Sequence, residues 1–369
     1  GPSAGGAVYS PAMTDFVIMV EKAGTMFVTG PDVVKTVLGE EISFDELGGA
    51  MTHGTKSGVA HFVAKNEYQC MDYIKTLLSY IPQNNAEAPP SVTTSDDPNR
   101  LDNNLINILP DDALQPYDMK EIILSILDDN KFFEIHELFA QNVIVGFGRM
   151  NGKTVGIVAN QPMFLAGALD IDSSNKASRF IRFCDCYGIP LITLVDTPGY
   201  MPGSNQEHNG IIRHGSKLLY SYCEATVPKI TVVIGKAYGG AYIAMSSKNL
   251  GTDVNYAWPT AQIAVLGSEG AVKIMNRKDL ANSDNPDELK KKLVDEFTEK
   301  FANPYVAASN GTVDTVIDPA ETRPMLIKAL EMLSNKREKQ LPRKHGNINL
   351  WLDMIEKVLI ANRGEIALR

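Results

Sequence analysis

The sequence is poor in cysteine and has no long apolar run, and these two features exclude several classes of protein. The four cysteines, Cys70, Cys184, Cys186 and Cys223, are spaced neither as a disulfide framework nor as a paired zinc-binding motif. This pattern predicts a reducing environment and therefore a cytoplasmic protein. A membrane-spanning helix needs about 20 consecutive apolar residues, and no run reaches that length, so no membrane partner is expected.

An excess of basic residues is also missing. Lysine and arginine together number 35 against 44 acidic residues, which gives a net charge of −9. Nucleic acid is therefore not expected as a main partner, and an anionic ligand would need a local basic patch. The length of 369 residues, 44% of them hydrophobic, is sufficient for two domains with sizeable cores.

Familiar catalytic motifs are missing as well. The chain has no G-x-S-x-G nucleophile elbow. His53 and His61 have no evident third ligand at a suitable spacing, so we expect them to anchor a loop rather than bind a metal. Gly152-Lys153-Thr154 imitates the end of a P-loop and Asp196-Thr197-Pro198-Gly199 a GTPase motif, but Phe147 stands where the P-loop needs glycine. A GTPase is therefore excluded.

The most informative stretch is TVVIGKAYGGAYIAM, residues 231–245. Its apolar beginning predicts a buried strand that ends at Gly235, and the AYGGAY turn then leads into a helix. Such a turn exposes unpaired backbone N–H groups, and Gly239 and Gly240 let a ligand approach them closely. These groups can form an oxyanion hole, which stabilises an oxygen that becomes negative during a reaction. A tight turn with glycines for packing explains the pattern equally well.

A second copy of this pattern occurs at the beginning of the chain. AGGAVY at residues 4–9, with Gly5 and Gly6, resembles YGGAYI at residues 238–243. The repeat predicts two related domains, each with an oxyanion site.

Other signals predict an α/β order of elements between the two turns. Six prolines between residues 82 and 116 indicate a linker, with the second domain beginning near Met119. Asn151-Gly152 between two apolar runs predicts a hairpin over residues 143–159. A helix is predicted over residues 178–187 and a buried strand over residues 190–195.

Together with HGTKSG at 53–58, DTPG at 196–199 and NGIIRHG at 209–215, these motifs closely resemble a known family. It is the carboxyltransferase (β) subunit of biotin-dependent acyl-CoA carboxylases, of the propionyl-CoA and acetyl-CoA carboxylase type. The resemblance covers residues 1 to about 350 and implies the α/β fold of the crotonase/ClpP superfamily, a ββα superhelix in two related domains.

The domains that the resemblance implies have unequal lengths. Residues 1–110, including the linker, would be the acyl-CoA-side domain, truncated at its N-terminus, and residues 111–350 the biotin-side domain. Residues 351–369 are expected to be a tail, because the segment from Met354 resembles the first strand of a biotin carboxylase. In NGIIRHG, Arg213 and His214 could bind phosphate or shuttle protons, but interface or packing roles are favoured.

The resemblance implies that the chain moves a carboxyl group from carboxybiotin to the α-carbon of a short-chain acyl-CoA, through an enolate. Gly5 and Gly6 would hold the enolate oxygen of propionyl-CoA or acetyl-CoA, and Gly240 and Ala241 would hold biotin. The substrate-binding residues would be Ala7, Gly239, Tyr242 and Ile243. Biotin would be carried on a partner protein, and no metal is expected.

The resemblance also implies partners and alternatives. The partners are a biotin carboxylase or biotin carboxyl carrier subunit and further copies of the chain, in a hexamer whose two kinds of oxyanion site meet across a dimer interface. Many propionyl-CoA carboxylases have an acidic residue where this chain has Ile243, so the preferred acyl-CoA stays open. The alternatives are the α subunit of a sodium-pumping methylmalonyl-CoA or glutaconyl-CoA decarboxylase, a transcarboxylase subunit, or a non-catalytic assembly subunit.

Overall fold

The structure, a computed structural model, describes residues 1–84, 86–110, 112, 115–338 and 346–348. The tail predicted for residues 351–369 lies outside these described residues. None of the helices within them is both long and apolar enough to cross a membrane. The strands are β1 (Pro2–Ala4), β2 (Ile18–Val20), β3 (Thr25–Phe27), β4 (Phe62–Ala64), β5 (Phe132–Ile135), β6 (Val143–Met150), β7 (Lys153–Asn160), β8 (Leu191–Thr197), β9 (Lys229–Tyr238), β10 (Val254–Ala257), β11 (Gln262–Ala264) and β12 (Thr315–Val316).

Helices connect and cover these strands. They are α1 (Tyr9–Ala12), α2 (Pro31–Leu38), α3 (Phe44–Gly48), α4 (Ala50–Thr52), α5 (Glu67–Leu78), α6 (Leu105–Ile108), α7 (Met119–Ile126), α8 (Ile171–Cys186), α9 (Ser204–His208), α10 (Ile211–Glu224), α11 (Gly239–Ala244), α12 (Ser268–Met275), α13 (Arg277–Ala281), α14 (Pro286–Phe301), α15 (Pro304–Ser309) and α16 (Thr322–Met332). The helix predicted from residue 178 thus begins at Ile171, where Asp170 caps it by accepting a hydrogen bond from the Ser173 N–H.

The main sheet has the strand order β12-β10-β9-β8-β7-β6-β5, and β11 pairs with the end of β9. Strands β7 to β12 pair in parallel, whereas β6 pairs antiparallel with both of its neighbours, β5 and β7. Both faces of the sheet are buried, which explains the continuous apolar runs. Val195 and Val233 face α8, α10 and α11, while Leu194 and Val232 face α7 and α16.

The predicted hairpin and strand are present. Asn151 and Gly152 both have positive φ, 49° and 77°, as a type I′ turn between β6 and β7 requires. Strand β8 covers the run predicted over residues 190–195.

The chain contains the same arrangement of strands twice. In the first unit, β1 pairs with β3 and β2 with β4, all parallel. In the second unit, the end of β9 pairs with β11 and β10 with β12, again parallel. The helices repeat in the same order. Helix α2 follows β3 as α12 follows β11, and α5 follows β4 as α16 follows β12. The two glycine motifs therefore stand at equivalent places in the two units.

The first unit packs against the sheet of the second through aromatic rings. The Phe62 and Phe133 rings stack at 5.0 Å, and the His61 and His136 rings stack at 4.1 Å. The buried Lys176 Nζ of α8 donates to the His136 carbonyl at 2.9 Å, which holds this loop on the helix. The two units thus share part of one apolar core, and the first unit also has a smaller core of its own around Met19 and Met26.

The proline-rich segment follows the surface of the second unit. The Val92 N–H donates to the Gly152 carbonyl at 2.9 Å, and Leu105 of α6 is buried beside α7. These contacts join residues 91–110 to the second unit, and the domain boundary near residue 110 stays a prediction.

Candidate active site

The second glycine turn begins at the end of β9. Tyr238 is extended, with φ −112° and ψ 136°, and Gly239 then adopts the left-handed region at φ 57° as α11 begins. A Cβ on Gly239 would lie 3.0 Å from the Val265 carbonyl oxygen, so both conformation and space require glycine. Gly240 is exposed, and among the described residues a Cβ there would meet only the Tyr200 ring, at 3.9 and 4.0 Å. The first N–H groups of α11 have no partner within the helix, as at the start of any helix.

The first glycine turn has the same backbone geometry. Ala4 is extended, with φ −138° and ψ 156°, and Gly5 follows in the left-handed region at φ 60°. Gly5–Val8 then form a 3₁₀ turn that leads into α1. A Cβ on Gly6 would have no described atom within 4 Å. Both turns therefore consist of an extended residue, a left-handed glycine and an open glycine.

The sequence predicted that strand β9 ends at Gly235. In the structure the strand continues to Tyr238. Its pairing with β8 is irregular between Val195 and Thr197, and the carboxylate of Asp196 occupies the gap. The Lys236 N–H donates to Asp196 Oδ1 at 2.9 Å. A Cβ on Gly235 would collide with this carboxylate, so the glycine marks a bulge rather than the end of the strand.

In the sequence, Asp196 stands out as part of a GTPase-like motif and of the family motif DTPG, but neither pattern predicts its contribution to this turn. Tyr117 OH donates to Asp196 Oδ2 at 2.8 Å, and burial raises the pKa of the carboxyl group. By holding the bulge, Asp196 sets where β9 resumes and hence where Gly239 begins the turn. The signal in the sequence was an acidic residue at the end of an apolar strand, which is costly to bury without donors.

The predicted substrate-binding residues around the turns differ in exposure. Ala241 is fully buried, and Tyr242 packs into the core with its pKa raised to about 12 by burial. Ile243 is 39% exposed and presents its side chain next to the turn. Ala7 is exposed beside Gly6.

The histidines singled out in the sequence are held in hydrogen bonds. His53 Nδ1 bonds with Ser57 Oγ at 2.7 Å and its Nε2 with the Met26 carbonyl at 2.6 Å. His61 Nδ1 accepts the Val17 N–H at 3.1 Å. The prediction that these two residues anchor loops is confirmed.

His214 has a packing role in the described structure. Its ring is buried, and its Nδ1 bonds with Asn175 Oδ1 at 2.9 Å. Burial, with the nearby Lys217 and Arg213, lowers the pKa of His214 to about 4. A buried imidazole held in this way is consistent with packing, one of the two roles favoured for NGIIRHG, and the interface role stays a prediction.

The family model described as carboxyl transferase domain matches residues 1–348. The chain belongs to the carboxyl transferase domain family. The sequence-based assignment to carboxyltransferase subunits of the propionyl-CoA carboxylase type, which are enzymes, is confirmed. The predicted crotonase-like α/β fold is confirmed as well.

Several carboxyl transferase relatives are similar over nearly the whole chain. The propionyl-CoA carboxylase carboxyltransferase subunit of Haloferax mediterranei is 58% identical over 350 residues, which are 95% of this chain and 68% of that protein. The methylmalonyl-CoA decarboxylase subunit alpha of Veillonella parvula is 53% identical over 350 residues, which are 95% of this chain and 67% of that protein. The chain thus spans about two thirds of the length of these relatives.

Among solved structures, transcarboxylase 12S, described as a hexamer with methylmalonyl-coenzyme A bound, superposes with a TM-score of 0.91. It is 49% identical, and the match covers 95% of this chain and 67% of that one. A single-chain, multi-domain long-chain acyl-CoA carboxylase matches with a TM-score of 0.76 and 25% identity, over 89% of this chain and 32% of that one. The carboxyl transferase domain fold therefore extends through both units.

Proposed function

We propose that this chain transfers a carboxyl group from biotin, carried by a partner protein, to the α-carbon of propionyl-CoA or acetyl-CoA. The observation that carries the proposal is the matched pair of turns, in which Gly5 and Gly239 are left-handed and Gly6 and Gly240 are open. The reaction develops negative charge on two oxygens, one on the acyl-CoA thioester and one on the biotin ureido group. Two sets of fixed backbone N–H groups meet that requirement.

The first turn binds the acyl-CoA in this proposal. The N–H groups around Gly5 and Gly6 donate to the thioester oxygen and stabilise the enolate that forms when the α-carbon loses its proton. Ala7, which is exposed beside them, lines the same approach. Because the turn holds its donors in place beforehand, no reorganisation is needed as the charge develops.

The second turn binds biotin. The space over Gly240 fits a ureido oxygen, which the N–H groups of Gly240 and Ala241 can reach. Biotin supplies the carboxyl group and, once it has given it up, the base for the α-proton. Gly239 shapes the turn and Ile243 lines it. The phenol of Tyr242 stays protonated near neutral pH, since its pKa is about 12, and so contributes packing rather than acid–base chemistry.

We also infer that copies of this chain assemble with the first unit of one against the second unit of another. Apolar side chains at equivalent places of the two units are exposed, and exposed apolar patches mark interaction surfaces. These side chains are Val28, Val37 and Leu38 in the first unit and Val265, Ile274 and Met275 in the second. Val28 and Val265 directly follow the equivalent strands β3 and β11, and the other four side chains lie at the ends of the helices that come next, α2 and α12. Their burial would bring a first turn close to a second turn, and the hexamer of transcarboxylase 12S supports such an assembly.

Carboxylation is favoured over decarboxylation. The relatives include both kinds of enzyme, and the carboxylase subunit is 58% identical against 53% for the decarboxylase subunit. The proposed partners are accordingly a biotin carboxylase and a biotin carboxyl carrier subunit. A cytoplasmic location stays a prediction from the cysteine pattern.

The test uses the full-length protein that contains this chain and a biotinylated carrier with a labelled carboxyl group. We expect the label to appear in methylmalonyl-CoA or malonyl-CoA when propionyl-CoA or acetyl-CoA is supplied. Gly6→Val should abolish transfer to the acyl-CoA, because its side chain occupies the space for the thioester. Failure of the wild type to label either product contradicts the proposed function.

A further inference from the structure

A cleft of about 470 Å³ lies where the first unit meets helices α8 and α10. Its lining includes Met13 and Phe16 from the segment after α1, Arg179 and Arg182 from α8, and Lys217 from α10. Among the described residues, those of the two glycine turns do not line it. The cleft therefore shares no lining residue with the proposed carboxyl transfer site.

Two cations in this cleft lie side by side and are held by uncharged oxygens. Arg179 Nη2 donates to the Thr14 carbonyl at 2.7 Å and to the Asp15 carbonyl at 3.2 Å. Lys217 Nζ donates to Asn175 Oδ1 at 3.2 Å. Asn175 stands four residues before Arg179 on α8, and residues at this spacing are neighbours on one face of a helix. The guanidinium and the ammonium group are thus adjacent, and in the described structure neither is paired with a carboxylate.

The other charged groups do not cancel this positive charge. Arg182 forms an ion pair with Glu224, so these two side chains are neutral together. Lys176 is buried, and its Nζ donates to the His136 carbonyl at 2.9 Å. In the described lining, Asp15 is the single acidic residue against four lysines and arginines. The cleft is therefore locally basic in a chain whose net charge is −9.

The titratable groups around the cleft respond to this excess of positive charge. Burial lowers the pKa of Lys217, and the nearby Arg213 lowers it further. Burial also lowers the pKa of His61 to about 2, and the charges of His136 and Arg179 add to the effect. A further positive charge is thus unfavourable here, whereas an anion would be attracted.

We propose that this cleft binds a small free oxyanion of the inorganic phosphate type between Arg179 and Lys217. A guanidinium can donate two parallel hydrogen bonds to a phosphate, and a lysine ammonium adds a point charge beside it. Because Arg179 also donates to carbonyls of the first unit, the bound anion would strengthen the junction between the units. The inference goes beyond the proposed function and does not depend on it, since anion binding requires no carboxyl transfer.

The test is a calorimetric titration of the full-length protein that contains this chain with inorganic phosphate, at constant ionic strength in chloride. We expect saturable binding at one site per chain. Arg179→Gln and Lys217→Gln should each raise the Kd for phosphate at least about tenfold, because each removes a hydrogen bond to a charged partner. Lys217→Arg keeps the charge and should keep most of the affinity. Arg149→Gln is the matched control, because it removes the same charge from a side chain that lies over the Tyr80 ring, outside the cleft.

Unfolding curves of each variant separate binding from folding. If Arg179→Gln lowers the unfolding temperature without phosphate, Lys217→Gln decides, because the hydrogen bonds of Lys217 lie within the second unit. Absence of saturable binding to the wild type overturns the proposal, and so does an equal rise of the Kd in Arg149→Gln. Displacement of phosphate by saturating propionyl-CoA would assign the cleft to the acyl-CoA and would also overturn a separate anion site.

Discussion

Substitution of Gly240 by valine tests whether the second turn acts on a ligand or only on the fold. The structure predicts that folding tolerates the change. Gly240 lies outside the left-handed region, and a Cβ would make only ordinary contacts of 3.9 and 4.0 Å with Tyr200. Valine is also slightly better than glycine in a helix, so the free energy of unfolding should change by less than about 1 kcal/mol. The position that requires glycine to avoid backbone strain is Gly239, which has φ 57°.

Catalysis should respond very differently. The valine methyl groups would occupy the space through which an oxygen reaches the N–H groups of Gly240 and Ala241. Removal of one oxyanion donor costs about 10²–10³ in turnover, or about 2.7–4 kcal/mol. We expect kcat for carboxyl transfer in full-length Gly240→Val to fall by at least about 10², with an unchanged thermal unfolding curve.

The neighbouring glycine supplies the matched control. Gly239→Ala forces an alanine to φ 57° and places its Cβ 3.0 Å from the Val265 carbonyl oxygen. It should therefore lose about 1–3 kcal/mol of unfolding free energy. Both variants would be assayed for steady-state transfer and for unfolding from one preparation. Turnover of Gly240→Val within threefold of the wild type would show that the turn is only structural, and the oxyanion assignment would be wrong.

Three further predictions concern specificity, pH and a buried ion pair. Ile243→Asp should shift the kcat/KM ratio toward propionyl-CoA within about 200-fold, since a pocket wall discriminates by about 1–3 kcal/mol, and an unmoved ratio removes Ile243 from the specificity residues. Burial lowers the pKa of His61 to about 2 and of His136 to about 4, so the folded state resists protonation of both. Each of these histidines should therefore lower the free energy of unfolding by about 1.4 kcal/mol per pH unit as the pH falls from 6.5 toward 4. In urea unfolding, the free energy of unfolding of His136→Gln should fall less steeply with pH than that of the wild type. Arg323→Met leaves the buried Asp128 without the guanidinium 2.7 Å away and should cost about 3–5 kcal/mol, whereas the double variant with Asp128→Asn should recover part of this in chemical unfolding.

The sequence by itself determined the features that depend on local chemistry. The Asn151-Gly152 hairpin was predictable because few residue pairs adopt two successive positive φ values. The repeated glycine pairs indicated two related units, because only glycine combines a left-handed conformation with an open approach to the backbone. The family also followed from the sequence, since its motifs extend over nearly the whole chain.

Only the tertiary structure decided how far β9 runs and what surrounds its end. Gly235 ends the apolar run in the sequence, but the strand continues because the Asp196 carboxylate of the neighbouring strand accepts the Lys236 N–H. The position of Tyr200 beside Gly240 is likewise a contact between residues that lie 40 positions apart in the sequence. No local pattern encodes such contacts, because they arise when parallel strands bring their ends to one edge of a sheet.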